Sequence, residues 1–265
     1  MGAAIVVTAL MGAAMVVTGA GTPATPSSEV PTSGSSTTAV PCPELIPIFE
    51  QFFNRHPVRW TRDRTNRTGW GRNKLPAGYK VSSVERLHHP ARWQQYCAAR
   101  GAVDPAVISP VTVQTGEINK ALAGEADPLQ AARNECYFFR GSQAISQIIE
   151  KNFDVSRAKP SNESLLGGHK VYFAELGGKS DEHTGKDNEV LRMLVCRVVL
   201  GRSFYTEEPS PSEATKTDFD RMLRTGEFQS LRAFRRATTE INEFAITDTS
   251  LVYPEYVITY SRVPP

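Results

Sequence analysis

The stretch that decides the fold is Glu243-Phe-Ala-Ile-Thr-Asp-Thr-Ser-Leu-Val-Tyr-Pro-Glu-Tyr-Val-Ile-Thr-Tyr260. Two runs rich in β-forming residues, 243–247 and 252–260, flank Asp248-Thr-Ser250, whose side chains favour turns. The pattern predicts two strands joined by a hairpin or a tight corner. On the second strand, alternation of side chains would place Glu255 on a face of otherwise uncharged residues. A solvated rim position and a functional carboxylate are both open for Glu255 on this pattern.

The composition is that of a globular protein. The 265 residues carry a formal net charge of +2, with 40% hydrophobic and 22% charged residues, which suits one large domain or two small ones. The net charge alone argues neither for nor against a nucleic-acid partner. The arginines between 55 and 72 suit a solvated surface, so no nucleic-acid partner is expected. The cysteines are widely spaced, without a C-x-x-C pair, which argues against zinc and for free thiols: Cys42, Cys97, Cys136 and Cys196.

The first 41 residues differ in composition from the rest. Residues 1–21 are uncharged and about long enough to cross a bilayer, but they lack the basic flank of a signal peptide. A signal or membrane anchor and an unstructured tail or gene-model artefact are both open, and an intracellular location is slightly favoured. Residues 22–41 are almost all Pro, Ser, Thr, Gly, Ala and Val, which predicts a flexible linker. The folded domain is predicted to span 42–265, and a monomer is expected.

Hydrophobic periodicity predicts strands and a few helices, without a regular βαβ alternation. The predicted helices are 43–55, 91–100, 118–123 and one that begins after Ser142. The predicted strands outside the opening stretch are 79–87, 137–140, 170–175 and 191–200. Residues 205–217 are predicted as a charged loop, and 218–240 carry no prediction. This order indicates an α+β domain with a mainly antiparallel sheet.

Six short pieces of the chain stand in an informative order. They are Val84-Glu-Arg86, Trp93-Gln-Gln-Tyr-Cys97, Phe139-Arg-Gly-Ser142, Val171-Tyr-Phe-Ala-Glu175, Lys179-Ser180 and Tyr253-Pro-Glu-Tyr256. Together they resemble the catalytic domain of poly(ADP-ribose) polymerases and tankyrases, which are diphtheria-toxin-like ADP-ribosyltransferases. The resemblance covers roughly residues 79–262. It implies a split, mainly antiparallel β-sheet that clamps NAD, as co-substrate, in an extended crevice without a metal.

The resemblance also implies a His-Tyr-Glu triad. Tyr172 matches the tyrosine, and Glu255 is matched to the glutamate on the late strand, while Arg140 stands at the histidine position. Breaking the bond between nicotinamide and ribose builds positive charge on the sugar. A carboxylate that holds a ribose hydroxyl beside that charge lowers the barrier, and this is the role expected of Glu255.

Further residues are assigned to the nicotinamide by the same resemblance. Tyr172 would form the ring on which nicotinamide stacks, and His183 lies where many members place a second aromatic ring. Gly141 and Ser180 match groups that bond the nicotinamide amide, and a Cβ at Gly141 would block close approach. Ser142 belongs to the same cofactor-binding segment and also suits a helix N-cap.

Arg140 leaves two interpretations of the site open. Arginine has five donors and a permanent charge, so Arg140 could donate to a ribose hydroxyl or hold the pyrophosphate of NAD with two hydrogen bonds. Alternatively, the site is inactive and the domain is an interaction module that binds NAD or ADP-ribose. Lys170 is a second departure, expected to add bulk and charge at the crevice edge.

The function implied by the resemblance is NAD-dependent transfer of ADP-ribose to protein side chains with release of nicotinamide. Transfer of single units is expected rather than polymer formation. The partners implied are NAD and protein acceptors, with a membrane involved only if residues 1–21 act as an anchor. In an extracellular version, the sequons at Asn66 and Asn162 would carry glycans.

Overall fold

The computed structural model describes residues 36–56, 75–122, 127–158, 164–186, 189–234 and 241–265. The predictions for residues 1–21, for the linker up to residue 35, for the arginines from 59 to 72 and for both sequon asparagines lie outside these ranges. Within the described ranges, no helix combines the length and apolar character needed to cross a bilayer.

A nine-stranded sheet forms the centre of the described domain, in the order β1-β2-β9-β5-β3-β4-β8-β7-β6. The strands are β1 Thr38–Pro41, β2 Gly78–His88, β3 Glu135–Gly141, β4 Val171–Ala174, β5 Leu191–Val199, β6 Ser203–Thr206, β7 Ser230–Phe234, β8 Asn242–Ile246 and β9 Val252–Val263. All neighbouring strands are antiparallel except the β6–β7 pair. The predicted α+β fold with a mainly antiparallel sheet is confirmed. Strand β1 extends the folded domain into the last four residues of the predicted linker.

Helices pack on the sheet at positions that the sequence largely indicates. They are α1 Ile46–Arg55, α2 Pro90–Ala102, α3 Gly116–Leu122, α4 Ile145–Lys151, α5 Gly177–Ser180 and α6 Glu213–Arg224. Helix α6 corrects the prediction of a loop over 205–217. Its start is fixed by Ser212, whose hydroxyl accepts a hydrogen bond from the backbone N–H of Thr215 at 3.1 Å. Its apolar face buries Phe219 and Leu223.

The two runs of the opening stretch are both strands, but they are not a hairpin. Strand β8 lies between β4 and β7, whereas β9 lies between β2 and β5. The connection is a 3₁₀ turn, Thr249–Leu251, and the Asp248 side chain accepts from the N–H of Ser250. Of the two predicted connections, the hairpin is therefore wrong, and the tight corner between strands is the one that the structure has. Glu243 and Glu255 consequently lie on strands that are separated by β5, β3 and β4.

The sheet is split where β3 meets β4. These strands share a single bridging residue pair, Phe139 with Ala174, whereas β3 pairs along its whole length with β5. The half of the sheet formed by β4-β8-β7-β6 is therefore joined to the half formed by β1-β2-β9-β5-β3 through one bridging residue pair. A split sheet is what the family resemblance implies, and the split lies at the strands that carry Arg140 and Tyr172.

Helix α1 completes the core beneath the split. Phe49, Phe52 and Phe53 surround Phe139 with ring centroids 5.5 to 6.5 Å apart. Phe53 also contacts Tyr260, and a Cβ on Gly177 would lie 2.3 Å from its ring. The N-terminal helix therefore supports both the central strand β3 and the short helix α5. The cysteines are free as predicted, with Cys42, Cys136 and Cys196 buried.

We expect Phe53→Ala to lower the free energy of unfolding by about 3–5 kcal/mol, since it removes a large ring from a close-packed cluster. Urea denaturation monitored by circular dichroism measures this change. Gln51→Ala, at an exposed position of the same helix, is the control and should change stability by less than about 0.5 kcal/mol. Equal effects of the two substitutions would contradict the packing of α1 against β3.

Candidate active site

Gly141 and Ser180 form a close contact between the end of β3 and α5. A Cβ built on Gly141 would lie 1.8 Å from the carbonyl oxygen of Ser180, so no other residue fits at this position. The Ser180 hydroxyl donates to the carbonyl oxygen of Phe139 at 2.9 Å. The structure therefore brings together the two residues that were predicted to bond the same amide.

Tyr172 is held by the loop that precedes its strand. Its hydroxyl donates to the carbonyl oxygen of Gly167 at 2.6 Å and accepts from the N–H of Leu166 at 3.1 Å. The ring packs against the apolar cluster that includes Leu166 and Phe219. Burial raises the pKa of Tyr172 well above its usual value, and the charge of Glu243 adds to the increase. The orientation of the Tyr172 ring is thus fixed, and the Glu243 carboxylate lies close enough to influence the pKa of the Tyr172 hydroxyl.

The carboxylate beside Tyr172 belongs to Glu243, a residue for which the sequence reasoning predicted no role. In the β4–β8 register, Glu243 is opposite Ala174, and Tyr172 is opposite Ala245, so Glu243 and Tyr172 are diagonal neighbours on one face. The Glu243 carboxylate lies 3.3 Å from the Nζ of Lys179, and its side chain is 14% exposed. Helix α5 thus supplies both Ser180 and a cation that contacts Glu243.

Glu255 has a different environment from the one expected. Val195 pairs with Tyr256 and Cys196 pairs with Pro254, which leaves Glu255 as the extra residue of a β-bulge in β9. The bulge interrupts the expected alternation and turns the carboxylate into the protein. The side chain is 1% exposed, so the interpretation as a solvated rim residue is wrong.

The Glu255 carboxylate accepts four hydrogen bonds from three residues. The donors are the Nε of Arg197 at 2.5 Å, the Tyr137 hydroxyl at 2.7 Å, and the Nη2 and Nε of Arg86 at 2.7 and 3.0 Å. These partners lie on β5, β3 and β2. None of them is Gly141, Tyr172 or Ser180, so among the described residues the Glu255 carboxylate forms its hydrogen bonds with other groups than the predicted nicotinamide residues.

Arg197 extends this cluster into a buried network of charges. Its Nη1 lies 2.9 Å from Asp127 and 3.5 Å from Glu135, and Glu135 accepts from Arg100 at 3.1 Å. Burial acts to lower the pKa of Arg197, but the charge of Glu255 and the neighbouring oxygens outweigh it and raise the pKa above its usual value. The network neutralises charges that would otherwise be expensive to bury, which indicates a structural role for Glu255.

Arg140 lies at the split and reaches from one half of the sheet to the other. Its Nη1 donates to the carbonyl oxygen of Tyr172 at 3.2 Å, which connects the end of β3 to β4. Its Nε is buried and has no hydrogen-bond partner among the described residues. Burial lowers the pKa of Arg140 below its usual value. The arginine at the histidine position therefore adjoins Tyr172 on one side and Gly141 on the other.

The remaining predicted residues surround this group. His183 is partly exposed at the end of the 3₁₀ turn that follows α5. The hydroxyl of Ser142 accepts from the N–H of Ala144 at 3.1 Å and so fixes the turn before α4. Lys170 does not add charge at the crevice edge as expected. It is 2% exposed, and its Nζ forms an ion pair with Asp220 of α6.

One comparison with known proteins bears on this site. The family model described as the poly(ADP-ribose) polymerase catalytic domain matches residues 65–262, which is more than half of the chain. The match includes β2 to β9 except the last residue of β9, and it includes every residue discussed for the site. Proteins of that family use NAD+ as substrate, and their function is of the ADP-ribosyltransferase type. The family resemblance inferred from the sequence is confirmed.

We expect Glu255→Gln to lower the free energy of unfolding by about 1–3 kcal/mol, because it removes one carboxylate from the buried network, in which Arg197 keeps Asp127 and Glu135 as partners. Urea denaturation of the purified protein measures the loss. Glu243→Gln is the matched substitution on β8 and should cost far less stability, since the Glu243 side chain is partly exposed. A Glu255→Gln protein as stable as the unmodified chain would contradict the structural role of this residue.

Proposed function

Because the chain belongs to the poly(ADP-ribose) polymerase catalytic domain family, we propose that it transfers ADP-ribose from NAD+ to protein side chains, with Glu243 as the catalytic carboxylate. The observation that carries this proposal is the position of Glu243. It shares one face of the β4–β8 pair with Tyr172, and it contacts Lys179 of the helix that bears Ser180. A carboxylate, an aromatic ring and the two groups that we propose to bond the amide therefore lie near the split in the sheet.

The reaction breaks the bond between the nicotinamide nitrogen and C1′ of the ribose. The bonding electrons leave with the pyridinium ring, which becomes neutral nicotinamide, and positive charge develops on the sugar. A nucleophilic oxygen or nitrogen of the acceptor protein forms the new bond to C1′ and loses its proton. Glu243 would hold a ribose hydroxyl and stabilise the developing charge more strongly than the ground state.

The other residues would bind and orient the leaving group. Tyr172 offers a ring whose orientation is fixed through its hydroxyl, which suits stacking on nicotinamide. The backbone of Gly141 and the hydroxyl of Ser180 would bond the nicotinamide amide, and the absence of a Cβ at Gly141 allows the backbone to approach closely. His183 follows directly on this helix and would supply the second, smaller ring.

Glu243 is preferred to Glu255 on physical grounds. A catalytic carboxylate must be reachable by the sugar, and the Glu243 side chain, which contacts Lys179, is partly exposed. Glu255 is fully enclosed, and its oxygens are already bound by Arg86, Arg197 and Tyr137. Arg197 and Tyr137 hold the Oε2 atom of Glu255, and Arg86, whose side chain is 54% exposed, holds the Oε1 atom, so a ribose hydroxyl could reach Glu255 only by displacing Arg86.

A second candidate function is a module that binds NAD or ADP-ribose without turnover. The observation that favours it is Arg140, which stands where the family triad has histidine. The two candidates share the ligand and differ in chemistry. They are separated by measuring ligand-induced thermal stabilisation and ADP-ribose transfer on the same preparation.

We expect the full chain to label itself or proteins of a mixed lysate with a tagged NAD analogue. Glu243→Gln should reduce this labelling by about 100-fold or more, because it removes the charge that faces the developing cation. In-gel detection of the tag measures the loss, and one discrete shifted species per acceptor is expected, as for single-unit transfer. For Glu255→Gln, labelling per folded molecule should stay near that of the unmodified chain.

The contrary outcomes are distinct. If Glu255→Gln abolishes labelling in a folded protein while Glu243→Gln does not, the assignment of Glu243 is wrong. If the unmodified chain is stabilised by NAD but labels nothing, the binding module is the correct function. If NAD neither stabilises nor labels, both candidates fail. A ladder of products on each acceptor would replace single-unit transfer with polymer formation.

A further inference from the structure

We propose that Lys170 is a positioning residue, which attaches the loop before β4 to helix α6 and thereby holds the Tyr172 ring in the orientation that nicotinamide needs. The inference rests on the proposed function, since it concerns the recognition of nicotinamide by Tyr172. Lys170 is the second residue at which the chain departs from the family resemblance, and neither the resemblance nor the proposed reaction gives it a role.

The first observation is the enclosure of the Lys170 charge. The side chain is 0% exposed, and its Nζ forms an ion pair with Asp220 of α6. The same Nζ donates to the carbonyl oxygen of Gly168 at 3.1 Å. Lysine is rarely enclosed in this way without a partner, because its charge loses its hydration. The ion pair therefore connects the residue before β4 to a helix that lies 50 residues later in the chain.

The second observation is that the loop before β4 packs directly on this ion pair. A Cβ built on Gly167 would lie 2.8 Å from the Nζ of Lys170 and 3.2 Å from a carboxylate oxygen of Asp220. The backbone φ angle is 90° at Gly167 and 53° at His169, in a region that residues other than glycine adopt rarely. Lys170 bonds to the carbonyl oxygen of the residue between them, so it stabilises this tight turn.

The third observation is that the same loop holds Tyr172. The Tyr172 hydroxyl donates to the carbonyl oxygen of Gly167 and accepts from the N–H of Leu166. Lys170 and Tyr172 both contact α6, Lys170 through its ion pair and Tyr172 through the apolar cluster that contains Phe219. Movement of Gly167 away from α6 would therefore take away the acceptor that fixes the ring. The ion pair and the nicotinamide platform are linked through one turn of backbone.

The experiment breaks the ion pair at its Asp220 end, because the Asp220 side chain is 45% exposed and tolerates substitution better than the enclosed lysine. Titration calorimetry on the full chain compares nicotinamide with ADP-ribose, which contains no nicotinamide. We expect Asp220→Asn to weaken nicotinamide binding by about threefold to tenfold and to keep ADP-ribose affinity within about twofold, because only nicotinamide stacks on Tyr172. Asp220→Glu, which keeps the charge, should restore nicotinamide affinity. Asp218→Asn removes an exposed carboxylate from the same helix and should change neither affinity.

A second variant separates positioning from charge balance. Lys170→Met combined with Asp220→Asn removes both charges, so no unpaired charge stays buried. We expect nicotinamide binding to remain weak in this double variant. We also expect the backbone N–H of Leu166 to exchange with deuterated solvent about fivefold faster than in the unmodified chain, because the turn is no longer held. Mass spectrometry of the peptide that contains Leu166 measures this exchange.

The contrary results differ from those that would contradict the proposed function. Nicotinamide affinity within about twofold of the unmodified chain, in Asp220→Asn or in the double variant, overturns the inference and leaves the proposed function intact. Equal weakening of nicotinamide and ADP-ribose, or unchanged exchange at Leu166, also overturns it, since the ion pair then serves only the stability of the fold. Failure of the unmodified chain to bind nicotinamide overturns the proposed role of Tyr172 in the reaction, and the inference with it.

Discussion

The ion pair between Arg197 and Glu255 is the interaction on which the central sheet depends. It joins β5 to β9 inside the protein, and the Tyr137 hydroxyl extends the contact to β3. Both charged side chains are 1% exposed, and each has a further partner of opposite charge, Asp127 for Arg197 and Arg86 for Glu255, so the buried charges are balanced as a network. The bulge in β9 is what turns Glu255 inward. The half of the sheet formed by β1, β2, β9, β5 and β3 thus contains a buried polar network. The other half is attached to it through the contact between β3 and β4.

The attachment between the two halves of the sheet lies at the proposed ligand-binding site. One residue pair joins β3 to β4, so the backbones diverge on either side of it. The groups at this divergence have complementary chemistry: a fixed ring on Tyr172, a backbone without a Cβ at Gly141, a carboxylate on Glu243 and a cation on Arg140. Two of them contact helix α5, Glu243 through Lys179 and Gly141 through Ser180. A dinucleotide offers a ring, a sugar and an anion, and this is why we propose the split as its binding crevice.

Sequence reasoning predicted the fold class, the family and most of the strands, because these depend on local patterns. The aromatic run at 137–140 and the long apolar run at 191–200 are strands in the structure, β3 and β5. Helix α6 was missed, since its charged, Thr-containing start resembles a loop and its apolar face becomes evident only where Phe219 and Leu223 meet the sheet.

Glu243 stood at the head of the decisive stretch, but its alignment with Tyr172 is a matter of register between strands about 70 residues apart in sequence, which no local pattern encodes. Glu255 was assigned to the reaction by the family resemblance, and its burial could not be predicted because strand alternation does not reveal the bulge in β9.

Helix α1 has a consequence for where this domain begins. The family match starts at residue 65, yet three phenylalanines of α1 pack on Phe139 inside the same core, and β1 pairs with β2 still earlier in the chain. The segment shared with relatives and the segment that folds are therefore not the same length. A shortened chain that started at the first matched residue would leave an aromatic cavity facing water, which favours self-association. The family match and the packing of the core therefore place the N-terminal boundary of the domain at different residues.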